Sequence, residues 1–227
     1  MRPRVPEVID AVIFDLDGTL IDSFSGILET AHEVLVAAGL PAPNLRQTER
    51  LMRRGLLLET VFIELGVEPS RIDEIMGAYR ARYRRGAVLQ ATPFPETVPC
   101  LESLSALGLP LAVATSKRHD LALLALDASG LRAYFRDVVG HNSVALGKPH
   151  PEMVLTLAER VGVAPDRCLV VGDSLADVAM GRAAGARTCA VRCDALELAE
   201  IEEASPDYIV DHLDAVALLV RAARSSS

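Results

Sequence analysis

Six short apolar runs, rich in β-branched residues and each stopping at a polar, cysteine-flanked or glycine position, alternate with segments of helical periodicity through most of this chain. The runs are Val8–Phe14, Leu111–Thr115, Val138–Gly140, Cys168–Gly172, Thr188–Val191 and Tyr208–Val210. Continuous apolar runs of this length suit strands buried on both faces. Between and after them, Asp120–Ala128, Glu152–Val161, Leu175–Ala184 and Leu213–Ala223 repeat their apolar residues at helical spacing. The alternation predicts an α/β fold, a doubly wound, Rossmann-like parallel sheet with helices on both faces.

The alternation stops between residues 24 and 89. That stretch reads as consecutive amphipathic helices, Ser25–Ala38, Gln47–Leu65 and Ser70–Tyr83, with turns at Gly39–Pro43 and Gly66–Pro69. An inserted α-helical cap, returning through the Pro-rich Thr92–Pro99, is the expected organisation: residues 1–23 and 90–227 form the core and 24–89 the cap. Arg46, Arg50, Arg53, Arg54, Arg71, Arg80, Arg82, Arg84 and Arg85 crowd this region, which makes a local anion site there a hypothesis. The whole chain carries a net charge of −8, which argues against general affinity for nucleic acid.

Cys100, Cys168, Cys189 and Cys193 form no metal-type CxxC pair and follow no secretory signal, the basic Met1–Arg4 being cut off by Glu7 and Asp10. Reduced thiols in a cytoplasmic protein are expected, with Cys168 and Cys189 in the core. No run approaches the roughly 20 apolar residues of a membrane span. Length and apolar content suit a monomer or a homodimer. The Ser225–Ser227 tail is the only low-complexity segment and is expected to fray.

Ligands of such sheets bind at the carboxyl ends of the strands. The first run leads into Asp15-Leu16-Asp17-Gly18-Thr19, where Gly18 permits an abrupt turn. The two acids can therefore take different tasks, one as nucleophile or metal ligand and the other in proton transfer; an Asx turn at a solvated strand end is the bland alternative. The second run ends in Thr115-Ser116, whose hydroxyls could hold a phosphoryl oxygen or cap the following helix. Lys148 stands in Gly147-Lys148-Pro149, and the chain has only one other lysine, Lys117. The Cys168–Gly172 run leads into Asp173-Ser174 and then Asp177, which suit Mg2+ or, equally, a helix cap.

These residues, in this order, resemble the haloacid-dehalogenase-like superfamily: Phe14-Asp15-Leu16-Asp17-Gly18-Thr19-Leu20, then Thr115, then Gly147-Lys148-Pro149, then Gly172-Asp173-Ser174 with Asp177. The resemblance implies a capped doubly wound core and a Mg2+-dependent phosphohydrolase acting on a small phosphorylated metabolite. By the same resemblance Asp15 attacks phosphorus, and Asp17 protonates the leaving oxygen and then activates water. Thr115 binds the phosphoryl group and Lys148 steadies its charge. The metal is held by the Asp15 carboxylate, the Asp17 backbone carbonyl and Asp173, with Asp177 in support.

Within the superfamily, Asp17 argues against the dehalogenases, which have no leaving oxygen to protonate, and a cap without lysine argues against the Schiff-base phosphonate-cleaving enzymes. The stretch Phe14–Ser23 with a cap of this size looks like the phosphoglycolate phosphatases and related pyrophosphatases. A sugar-phosphate mutase similar to β-phosphoglucomutase stays open, although such enzymes often have Val where this chain has Thr19. A non-catalytic binder of phosphates or proteins is the alternative from another class. Arg50, Arg53 or Arg54 is expected to meet an anionic group at the far end of the substrate, and the arginines of Tyr79–Arg85 are expected to form a solvated face.

Overall fold

The computed structural model describes residues 8–225; the basic Met1–Arg4 and the last two residues of the serine tail lie outside them. The first strand is β1 (Ala11–Phe14), and β2 (Ile21–Asp22) follows closely. The inserted helices are α1 (Phe24–Ala37), α2 (Leu45–Arg53), α3 (Leu58–Glu64) and α4 (Ile72–Arg85). The chain returns through β3 (Thr92–Pro93), which pairs antiparallel with β2 so that Ile21 faces Pro93 and Asp22 faces Thr92. There follow α5 (Thr97–Ser105), β4 (Leu111–Thr115), α6 (His119–Ala128), β5 (Asp137–Gly140), α7 (Glu152–Val161), β6 (Cys168–Gly172), α8 (Leu175–Ala183), β7 (Arg187–Val191), α9 (Leu198–Glu203), β8 (Tyr208–Val210) and α10 (Asp214–Ser225).

Six strands form one parallel sheet in the order β5-β4-β1-β6-β7-β8. The chain winds outward from β1 through β4 and β5, then crosses back to β6 on the other side and winds outward again. The winding therefore reverses at the carboxyl end of β1, where a crevice opens between the diverging connections.

Side chains alternate across the sheet as strand geometry requires. Val12, Phe14, Val113 and Val171 join a cluster with Leu101 of α5, Leu126 of α6 and Val216 of α10. Ala11, Ile13, Ala112 and Val170 pack on Met153 and Leu157 of α7 and Met180 of α8. Full burial on both faces is why these strands read as continuous apolar runs.

The cap has its own aromatic packing: Phe62 meets Tyr79 edge-on at 6.1 Å, and Tyr79 stacks on Tyr83 at 5.6 Å. These residues belong to the same apolar cluster as one face of the sheet, so the cap is seated on the core.

Two expected elements need correction. The single helix Gln47–Leu65 is two, α2 and α3, because the chain turns at Gly55, whose φ of +103° lies outside the helical region. The first strand starts at Ala11 rather than Val8, although the Asp10 N–H still donates to the Arg167 carbonyl beside β6 at 2.9 Å. Among the described residues, no helix is long and apolar enough to cross a membrane.

Gly55 has a second constraint: a Cβ there would stand 2.7 Å from the Ala176 Cβ of α8. Gly55→Ala adds a positive-φ cost of about 1–2 kcal/mol to that crowding and is expected to lower Tm by about 3–6 °C; an unchanged thermal melt would contradict this. Burial pushes the thiols of Cys100, Cys168 and Cys189 up to about 12, whereas Cys193 is only partly buried. A disulfide-exchange reagent at pH 8 should titrate at most Cys193 in the folded protein and all four thiols in denaturant. Rapid labelling of two or more native thiols would refute that.

Candidate active site

Asp15 is the first residue past β1, and its N–H donates to the Val171 carbonyl at 2.8 Å. That bond holds the buried carboxylate at the point where the winding reverses. Lys148, on the loop before α7, donates to Asp15 Oδ1 at 2.6 Å and makes an ion pair with Asp177 Oδ1 at 2.5 Å. Burial, and then the carboxylates of Asp177 and Asp17, push Asp15 up to about 7 against the pull of Lys148. Burial alone would lower the Lys148 pKa, but Asp15 and Asp177 outweigh it and the ammonium is held charged.

Asp17 faces elsewhere. Its Oδ1 accepts from Ser23 Oγ at 2.5 Å and pairs with Lys117 Nζ at 2.8 Å, so its side chain stands apart from the carboxylate cluster described below. Gly18, directly after the two acids, turns the chain with φ of +84°. A Cβ at Gly18 would lie 2.7 Å from both the Arg53 guanidinium and Asp173 Oδ2, so the turn needs glycine for space as well as for conformation.

Asp173 follows β6, and its Oδ1 accepts from Thr19 Oγ1 at 2.6 Å. Its Oδ2 pairs with Arg53, which reaches in from α2. Ser174 caps α8 in a reciprocal box with Asp177, in line with the helix-cap expectation; one oxygen of Asp177 closes that box and the other meets Lys148. Carboxylate oxygens of Asp15, Asp173 and Asp177 lie within 4.8 Å of one another, a donor set that fits a hard divalent cation.

Thr115 is buried at the end of β4 and its Oγ1 accepts from the Lys117 N–H at 3.1 Å. Neither Thr115 nor Ser116 caps α6, whose N-cap is Arg118 without a side-chain bond. Both hydroxyl residues line a cavity of about 150 Å³ together with Asp15, Asp17, Lys148 and Asp173. Phe24, Met52, Leu56, Tyr79 and Tyr83 make much of its cap wall, and Arg53 lies over Phe24 with its guanidinium carbon 4.1 Å from the ring centroid.

Of the three cap arginines expected at the substrate, only Arg53 reaches the cavity. Arg50 and Arg54 instead pair with Glu200 of α9. Arg50 and Arg54, four residues apart, project to the same side of α2, whereas Arg53 is buried and turned to Asp173. The arginines of Tyr79–Arg85 lie on an exposed face, where Arg80 pairs with Glu59 at 2.7 Å, Arg82 with Glu33 and Arg84 with Asp120; Arg80 also lines the cavity. Sequence reasoning passed over Lys117, Tyr83, Ser23 and Glu59. The signal for Lys117 was its place directly after Thr115-Ser116 in a chain with so few lysines.

Residues 12–191 match the haloacid dehalogenase-like hydrolase family. The pyrophosphatase candidate PpaX of Clostridium perfringens is 33% identical over 204 residues, covering 90% of this chain and 94% of that protein. A phosphoglycolate phosphatase of Xylella fastidiosa is 35% identical over 176 residues, covering 77% and 76% respectively. Among solved structures, a haloacid dehalogenase-like hydrolase, SP0104 of Streptococcus pneumoniae, superposes with a TM-score of 0.83 at 28% identity, over 92% of this chain and 97% of that one. The matched span contains every strand-end residue described above, and the chain belongs to the haloacid dehalogenase-like hydrolases as a phosphatase of the phosphoglycolate phosphatase-like kind.

Proposed function

We propose that this phosphatase hydrolyses a small-molecule phosphate monoester in a Mg2+-dependent reaction through an aspartyl-phosphate on Asp15. The observation that carries the proposal is the pairing of two carboxylates, two residues apart, with different surroundings. Asp15 is buried against Lys148 beside Asp173 and Asp177, while Asp17 is turned to Ser23 and Lys117. Such a division suits one acid to attack and the other to proton transfer.

Asp15, Asp173 and Asp177 would hold the cation with their carboxylates, and Asp17 with its backbone carbonyl. When bound, Mg2+ supplies positive charge that offsets the repulsion between the Asp15 carboxylate and a phosphate dianion. At the strand ends the carboxylates of Asp15, Asp17, Asp173 and Asp177 are paired with Lys117, Lys148 and Arg53, and Arg80 and Arg118 also line the cavity.

In the first step an Asp15 oxygen bonds to phosphorus as the ester P–O bond breaks, and the Asp17 carboxyl gives its proton to the departing oxygen. In the second, Asp17 takes a proton from a water whose oxygen attacks phosphorus. The bond to Asp15 then breaks, inorganic phosphate leaves, and both acids regain their starting states. Thr115, Ser116 and Lys148 hold the phosphoryl oxygens throughout.

The segment 24–89 acts as the cap that chooses the substrate over a core of 1–23 and 90–227. Arg53 is its anion-binding residue, suited to a carboxylate such as that of 2-phosphoglycolate. The names of the relatives support phosphoglycolate first and a pyrophosphate second. The free thiols accord with a cytoplasmic place of work.

Release of phosphate from p-nitrophenyl phosphate should require Mg2+ and fall at least about a thousandfold in Asp15→Asn; persistence of turnover in that variant would sink the covalent route. The natural substrate is to be sought in a screen of 2-phosphoglycolate, pyrophosphate and glucose 1-phosphate, with isomerisation followed alongside hydrolysis. Arg53→Met should cut kcat/KM for 2-phosphoglycolate about tenfold or more while changing that for p-nitrophenyl phosphate by less than about threefold. An equal effect on both esters would remove Arg53 from substrate selection.

A further inference from the structure

The reaction above gives Lys117 no task, yet its side chain is only 6% exposed and lies between Asp17 and the cap. Its Nζ is 2.8 Å from Asp17 Oδ1, donates to the Tyr83 hydroxyl at 3.0 Å and stands 4.7 Å from the centroid of the Tyr83 ring. Tyr83 belongs to α4 of the cap, is buried, and is stacked on Tyr79. We infer that Lys117 is a positioning residue that aims the Asp17 carboxyl at the leaving oxygen only while the cap is seated on the core.

The atoms used by each contact support this role. Ser23 and Lys117 both engage Oδ1 of Asp17, which leaves Oδ2 to carry the proton. Ser23 is the residue just before α1, on the connection into the cap, whereas Lys117 sits on the core loop after β4. The carboxyl is thus gripped from the connection that enters the cap and from the core loop that the cap covers. An ammonium is compact and strongly hydrated, and it stays aimed at one carboxylate oxygen only where water is kept out. Tyr83 provides that exclusion with its ring and an acceptor with its hydroxyl. When the cap lifts, both leave together, Lys117 meets solvent, and Asp17 loses one of the two contacts that fix its orientation. The acid is then assembled in the closed cavity and disassembled in the open one.

This role presupposes the Asp17 acid step proposed above, and a pair of esters separates the two claims. Phenyl and p-nitrophenyl phosphate differ little in size, but p-nitrophenolate departs without a proton, whereas phenolate, with a pKa of about 10, benefits from one. In Lys117→Met, kcat/KM for phenyl phosphate should fall about tenfold or more beyond any fall for p-nitrophenyl phosphate. Tyr83→Phe, which removes one oxygen and keeps the ring, should give the same selective loss at about threefold, and it carries the test if Lys117→Met fails to fold by circular dichroism. Equal losses on both esters in the folded variants, or none, would overturn the positioning role and leave the phosphatase proposal standing. Wild-type protein that cleaves neither ester would overturn both.

Discussion

The ammonium group of Lys148, on a side chain only 3% exposed, is held between Asp15 and Asp177. Burying one charge without a partner is costly, and removing one member of a buried pair typically destabilises by about 3–5 kcal/mol. The three residues arrive from the end of β1, the loop before α7 and the first turn of α8, so those elements must stand in one relative position for the charges to be satisfied. Asp177 adds a further tie, because the carboxylate that meets Lys148 also closes the cap of α8 through Ser174. The strand order, the helix cap and the position of the lysine are therefore mutually dependent, and the crevice of the sheet is where they meet.

The contacts between cap and core are of a different kind. Arg50 and Arg54 clasp Glu200 on α9, Arg84 reaches Asp120 on α6, and Gly55 lies against Ala176 of α8. The arginine pairs are substantially exposed, and pairs of that sort each contribute about 0–1 kcal/mol and weaken with salt. The buried contacts at the seam, Arg53 with Asp173 and Lys117 with Tyr83, are those that involve the catalytic crevice. These ties add to the buried apolar packing that joins the cap to one face of the sheet.

The core was legible because its chemistry is local in sequence. Strands β1, β4 and β6 are apolar runs that end at or beside a residue lining the crevice, as with Phe14 before Asp15 and Gly172 before Asp173. The cap was less so. Helical periodicity marked its helices but not the break at Gly55, because a glycine inside an amphipathic pattern does not announce a positive φ. The three arginines of α2 looked equivalent as a cluster, and only the direction each takes around the helix separated Arg53 from Arg50 and Arg54. Lys117 escaped notice because its partners, Asp17 and Tyr83, lie 100 and 34 positions away, a relation that no local pattern encodes.

Both crossings between core and cap run through one antiparallel ribbon, β2 beside β3, with Ile21 opposite Pro93 and Asp22 opposite Thr92. Paired strands stand about 5 Å apart, a gap that a two-residue turn closes. The four helices between them are thus topologically a side branch: the parallel sheet can be traced without passing through them. That branch can be exchanged, enlarged or trimmed while the hydrogen-bond ladder and the buried lysine beneath stay as they are.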